Sequence, residues 1–179
     1  LSGGYKGRMT KKIEEEFADL FAGLKKAYGS YSPEEGHGVG KEKGRYRIIS
    51  EDIDEDRLYE LWKEHLAGKN SLGIIPIQED NTCTWGAIDI DQYPLNHGEL
   101  VTRLIQTNEL PVVIARSKSG GAHIYFFLKE QVSCAIVQNK LKEIASVLGY
   151  ATAEIFPKQT KLLLEKGDRG SVLNMPYYG

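Results

Sequence analysis

From Cys83 to Phe156 short apolar runs of strand length alternate with longer runs of helical period, and their order restricts the fold more than any other feature. Strands are expected over 83–91, 111–117, 122–128 and 152–156, and helices over 98–108 and 131–148. The order is β-α-β-β-α-β. Strands linked this way build one antiparallel sheet with its helices on a single face. In that arrangement the first and third strands are central neighbours and the hairpin closes one end of the sheet. The fourth strand takes an edge, so a residue on it reaches the centre only through sheet twist or an end-on placement.

Before Cys83 the pattern is looser. Ile13, Phe17, Leu20, Phe21 and Leu24 recur at helical spacing and predict a helix over 10–28, stopped near Gly29. Ser30 to Gly44, rich in Gly, Ser and charge, reads as a long loop. Tyr46 to Ser50 reads as a strand, Asp54 or Asp56 caps a helix carrying Leu58, Leu61, Trp62 and Leu66, and Leu72 to Ile77 is a further strand. Residues 1–9, which precede or include Met9, are expected to be a tag remnant or disordered. The expectation is one domain over 10–179, with an N-terminal α/β unit over 10–82 and a core over 83–179 that carries the site.

Three segments of the core carry chemistry. Trp85-Gly-Ala-Ile-Asp-Ile-Asp-Gln-Tyr93 sets Asp89 and Asp91 into a strand, where residues two apart share a face at ~6.6 Å. Two carboxylates that close repel unless a divalent cation neutralises both, and hard Mg²⁺ or Mn²⁺ suits such oxygen ligands. The bland alternative is a pair of solvated acids. Arg116-Ser-Lys-Ser-Gly-Gly-Ala-His123 is a hairpin turn in which Gly120 and Gly121 let backbone N–H groups approach an anion, and Arg116, Ser117, Lys118 and Ser119 add donors suited to phosphate. An ordinary solvated hairpin, with His123 packed locally, is the competing reading. Thr152 to Gln159 holds Glu154, which supplies a third carboxylate if its strand lies beside that of Asp89 and is otherwise a surface acid.

Charge and cysteine content narrow the function classes. The net charge of −2 argues against a protein that coats duplex DNA and allows a local basic strip. Lys41, Lys43, Arg45 and Arg47 form one such strip, the first three being candidate nucleic-acid contacts; Lys158, Lys161, Lys166 and Arg169 form another. Either also reads as a solvated face. Cys83 and Cys134 stand apart from any histidine cluster, so reduced thiols and no structural zinc are expected. No run approaches a membrane span, and an intracellular, cytoplasmic protein is expected.

The element order matches an α+β class, a ferredoxin-like or RRM-like core with an N-terminal extension. With the motifs, the chain resembles the catalytic core of the archaeo-eukaryotic primase superfamily, the primase-polymerases, particularly those of phages, plasmids and bacterial defence or replication modules. Asp89-Ile-Asp91 is similar to the first motif of that family, Ser117-Lys-Ser-Gly-Gly-Ala-His123 to the second and Glu154-Ile-Phe-Pro-Lys-Gln159 to the third. Asn174-Met-Pro-Tyr-Tyr178 is similar to a following asparagine-proline-aromatic segment. The family often has Asp where this chain has Glu154.

The resemblance implies template-directed nucleotidyl transfer, DNA primase or DNA polymerase activity, with two Mg²⁺ or Mn²⁺ ions held by Asp89, Asp91 and Glu154. It implies that His123, Ser117, Ser119 and Lys118 bind the triphosphate, with Arg116 and Lys158 as flanking contacts. Nucleoside triphosphates, a single-stranded DNA template and a primer are the implied partners, with helicase or accessory domains beyond this segment. Two other functions compete. A catalytically silent nucleic-acid-binding module is one, although an RNA-reading sheet displays aromatics where this one has acids. A metal-dependent phosphodiesterase or nuclease is the other, and the Gly-Gly turn favours a triphosphate substrate over it.

Overall fold

A computed structural model describes residues 12–33, 44–107, 110–117 and 119–179. It is a mixed α/β structure with four α-helices and two antiparallel sheets of four strands each. Along the chain these are α1 (Ile13–Leu20), β1 (Ala27–Pro33), β2 (Gly44–Ser50), α2 (Glu55–Leu66), β3 (Ser71–Ile74), β4 (Thr82–Ile90), α3 (His97–Gln106), β5 (Val112–Arg116), β6 (Ala122–Ser133), α4 (Cys134–Val147), β7 (Glu154–Phe156) and β8 (Leu173–Asn174). Residues 1–9, Lys41, Lys43 and Lys118 lie outside the described residues, as does the side chain of Arg45.

The second sheet runs β5-β6-β4-β7, so β4 and β6 are central neighbours and β7 pairs directly with β4. One of its faces packs Ile88, Ile90, Ala122 and Ile124 against Leu100 of α3 and Val137, Leu141 and Ile144 of α4. The other face turns Trp85, Ala87, Ala115, Tyr125 and Phe156 toward Phe21, Leu61, Trp62, Leu72 and Leu173. A register shift between Cys83 and Trp85 places the two in different cores although they are two residues apart. Both cysteines are free and buried.

The first sheet runs β2-β1-β3-β8. Its β8 strand pairs Gly73 with Asn174, so the chain's closing segment returns to the sheet laid down first. That segment is clasped by His65 of α2, which is almost fully buried. Its Nδ1 accepts from the Leu72 N–H at 2.9 Å, so Nε2 carries the proton and donates to the Pro176 carbonyl at 2.8 Å.

Several expected boundaries are corrected. The helix predicted over 10–28 ends at Leu20, and Ala27 onward is strand β1, which also takes the start of the predicted 30–44 loop. The cause is tertiary: the Leu24 N–H bonds the Ile75 carbonyl at 2.9 Å, drawing the chain out of the helix. Leu24 and Phe21, neighbours on a helical wheel, enter different cores. The helix predicted over 131–148 begins at Cys134, because β6 continues to Ser133. The strand predicted to Ile77 ends at Ile74. Asp54, of the two candidate caps, holds the α2 N-terminus by accepting from the Arg57 N–H at 2.8 Å.

Candidate active site

The polar side chains of interest lie where the apolar packing of one sheet face stops. Trp85, Ala87 and Asp89 alternate along β4 on that face, the first two completely buried and Asp89 with 14% of its side chain exposed. Asp89 pairs with His123 of β6 on one side and with Glu154 of β7 on the other, and His123 pairs in turn with Ala115 of β5. Directly opposed residues share a face with Cβ atoms roughly 4.5–5.5 Å apart. The edge strand therefore needs no end-on placement to bring Glu154 level with Asp89.

Asp89 is the electrostatic centre of this rung. His123 Nε2 stands 3.3 Å from its Oδ1. That approach is outside hydrogen-bonding geometry, and among the described residues the buried Oδ1 has no hydrogen-bond partner. A buried acceptor left without a donor carries a desolvation cost of about 1–3 kcal/mol, more if charged, so such an atom calls for an explanation. His123, 7% exposed, has its Nδ1 3.0 Å from the Tyr125 hydroxyl.

The other predicted acids have partners. Asp91 lies one residue past the end of β4, exposed, and accepts from the Tyr93 hydroxyl at 2.8 Å. A phenol has one proton, so Tyr93 accepts its second bond from Ser119. Tyr93 is held above its usual pKa: the Ser119 hydrogen bond lowers it, but the bond to Asp91 and the charges of Asp91 and Asp89 outweigh that. Glu154 is ion-paired with Lys158 at 2.7 Å, with both side chains well exposed, and the Lys158 ammonium lies 5.0 Å from the centre of the Phe156 ring. Among the described residues no three His, Cys, Asp or Glu side chains converge as a ready metal cage.

The hairpin turn sits over the end of β4. A Cβ on Gly121 would lie 2.2 Å from the Ile90 carbonyl oxygen, so only glycine allows this approach, and Gly120 has φ +93°, in the left-handed region. The Ser117 N–H bonds the Gly121 carbonyl and the Gly120 N–H bonds the Ser117 carbonyl, each at 3.0 Å. His97 of α3 bonds the Gly121 carbonyl at 3.1 Å, and the Ser117 and Ser119 hydroxyls are 3.3 Å apart. Arg116 shares its rung with Ala122 and, through it, Ile90, and so lies on the helix-covered face, opposite Asp89.

Of the predicted residues, the structure thus gathers Asp89, His123 and Glu154 on one rung, with Asp91, Ser117, Ser119, Gly120 and Gly121 at the sheet end above it. Arg116 stands apart, and Lys158 faces Glu154. Tyr93, His97 and Tyr125 are participants that sequence reasoning missed. Tyr125 had a signal, since it follows His123 by the two-residue period that shares a face; His97 had none. A cleft of about 600 Å³ between α1, α2 and β3 contains none of these residues. No helix of the described residues is long and apolar enough to cross a membrane.

Among curated proteins, none matches the chain. The family model described as "TOTE conflict system, Archaeo-Eukaryotic Primase domain" matches residues 14–179, spanning both sheets and every element of the site. The chain belongs to that family of archaeo-eukaryotic primase domains.

Proposed function

We propose that this chain performs template-directed nucleotidyl transfer, as a DNA primase or DNA polymerase, at the rung of Glu154, Asp89 and His123. The observation that carries the reading is the buried Asp89 Oδ1, without a donor among the described residues and flanked in register by a histidine and a second carboxylate. The strand order β5-β6-β4-β7, with α3 and α4 on one face, supports an RRM-like core as the platform.

The lone carboxylate oxygen fits a hard divalent cation, Mg²⁺ or Mn²⁺, and Asp89, Asp91 and Glu154 are the residues that would hold two such ions. Asp91 and Glu154 would do so by exchanging Tyr93 and Lys158 for metal. Bound there, the metal would lower the pKa of a 3′-hydroxyl and offset charge on the leaving pyrophosphate. The protein's own part is positioning. The turn from Ser117 to Gly121 and His123 supply donors for triphosphate oxygens, with Lys118 and Lys158 as flanking cations, and hold the reacting phosphorus in line. No side-chain nucleophile is required. A single-stranded template, a primer and accessory domains such as a helicase complete the proposed assembly.

The Glu154–Lys158 ion pair and the unconverged acids favour a second reading, a catalytically silent nucleic-acid-binding module. A template-directed assay, with and without primer, supplying deoxy- and ribonucleotides separately with Mg²⁺ or Mn²⁺, separates the two. Extension or de novo product is the expected result. Strand binding with no product points to the silent module, and primer degradation to a phosphodiesterase.

A further inference from the structure

The useful form of the His123 imidazole depends on where a proton sits. In a neutral imidazole one nitrogen donates and the other accepts. Nε2 is the nitrogen beside Asp89 Oδ1, and Nδ1 is turned toward the Tyr125 hydroxyl. A phosphate oxygen is an acceptor only, so His123 serves a triphosphate when Nε2 carries the proton.

Tyr125 is built to decide this. Two residues after His123 on β6, it shares its face, and the two rings meet edge-on at 5.8 Å and 89°. It is 1% exposed, with its ring fixed by Phe21 at 5.2 Å, Phe127 at 5.9 Å and Trp85 at 6.1 Å. Such a phenol keeps its single proton, since burial first and the Asp89 charge second push its pKa far above the ordinary range. That proton needs an acceptor, and among the described residues the hydroxyl's hydrogen-bond partner is Nδ1. The opposite arrangement, with Nδ1–H donating to the phenol oxygen, would strand the phenol proton in the aromatic core.

We propose that Tyr125 is a positioning residue whose buried hydroxyl donates to His123 Nδ1, holding a ring proton on Nε2 and presenting that N–H as a donor toward the triphosphate. The use of that donor for phosphate rests on the function proposed above. Tyr125 touches no substrate; it acts through His123.

The test is nitrogen-15 NMR of the histidine side chains, with His123 assigned by its loss in His123→Ala. In the wild type, His123 is expected to show protonated Nε2 and an unprotonated, hydrogen-bonded Nδ1. A protonated Nδ1 overturns the proposal without any variant. Tyr125→Phe keeps the ring and removes the hydroxyl, and is expected to raise the Nδ1–H population and weaken nucleoside triphosphate binding about 2- to 10-fold, leaving a nucleoside without phosphates unaffected. An unchanged tautomer in a folded Tyr125→Phe protein overturns the positioning role, as does a changed tautomer with unchanged triphosphate affinity where His123→Ala does weaken binding. If His123→Ala also leaves triphosphate binding intact while the tautomer responds to Tyr125→Phe, the phosphate role of His123 fails and the tautomer assignment survives.

Discussion

Two ends of one sheet face, separated by a single step of strand alternation, obey opposite rules. At one end Trp85, Ala87, Tyr125 and Phe156 are buried against Phe21 and Trp62, and the Trp85 indole N–H donates to the Ala22 carbonyl at 2.8 Å. At the other, two residues along β4, Asp89 is left with a buried oxygen that has no donor among the described residues. The first end lowers the free energy of the fold; the second raises it. The packed end fixes the backbone so firmly that the polar end can be held in an unfavourable arrangement, as a pre-organised binding site requires.

The contrast is broken if both ends respond alike to truncation. Trp85→Ala removes the largest buried side chain beside the site and is expected to cost about 3–5 kcal/mol in chemical denaturation, taking activity with it. Asp89→Ala is expected to abolish nucleotide incorporation while leaving stability unchanged or raised by up to about 1 kcal/mol, because an unsatisfied buried acceptor is removed. A strongly destabilised Asp89→Ala protein would make Asp89 a structural residue.

A smaller effect sharpens the polar end. His123→Ala is expected to weaken nucleoside triphosphate binding by about 10- to 150-fold, the equivalent of ~1.5–3 kcal/mol for a hydrogen bond to a charged group. The corresponding nucleoside should lose much less. Equal losses for both ligands in calorimetric titration would make His123 a base contact or a packing residue.

The smallest effect belongs to the packed side. His65 is held neutral by burial, which lowers its pKa below the ordinary 6.5, although its bond to the Pro176 carbonyl opposes this. Its folded pKa is depressed, so the unfolded chain takes up the proton first. The stability it lends is therefore whole above about pH 6.5 and declines as pH falls below that value. Denaturation midpoints measured from pH 7.5 to 5 should fall, and the fall should be shallower in His65→Gln. A flat profile in the wild type contradicts the buried-neutral assignment.

The central part of this architecture is legible in the sequence because its signals are local. An apolar run of strand length identifies β4, a Gly-Gly turn between apolar runs identifies the β5–β6 hairpin, and period 3.6 identifies α3 and α4. The N-terminal part is less legible because its decisive contacts are distant in sequence. The helical spacing through Leu24 is genuine, yet the Leu24 N–H is claimed by Ile75, and β8 is two residues defined by pairing to β3 alone. Within the site, side-chain types announced Asp89, His123 and the glycine turn. Register decided the rest: Glu154 opposite Asp89, Arg116 on the opposite face, and Tyr93 and His97 drawn in by the turn over β4.

A metal site on the Asp89 rung is tested most directly by paramagnetic broadening by Mn²⁺ with a nucleoside triphosphate present, read at the side-chain signals of His123 and Tyr125. Selective broadening of both is expected in the wild type, and its loss in a folded Asp89→Ala protein. Absence of broadening in the wild type at saturating Mn²⁺ and triphosphate, or broadening that persists without the Asp89 carboxylate, would contradict a metal-dependent site on this rung.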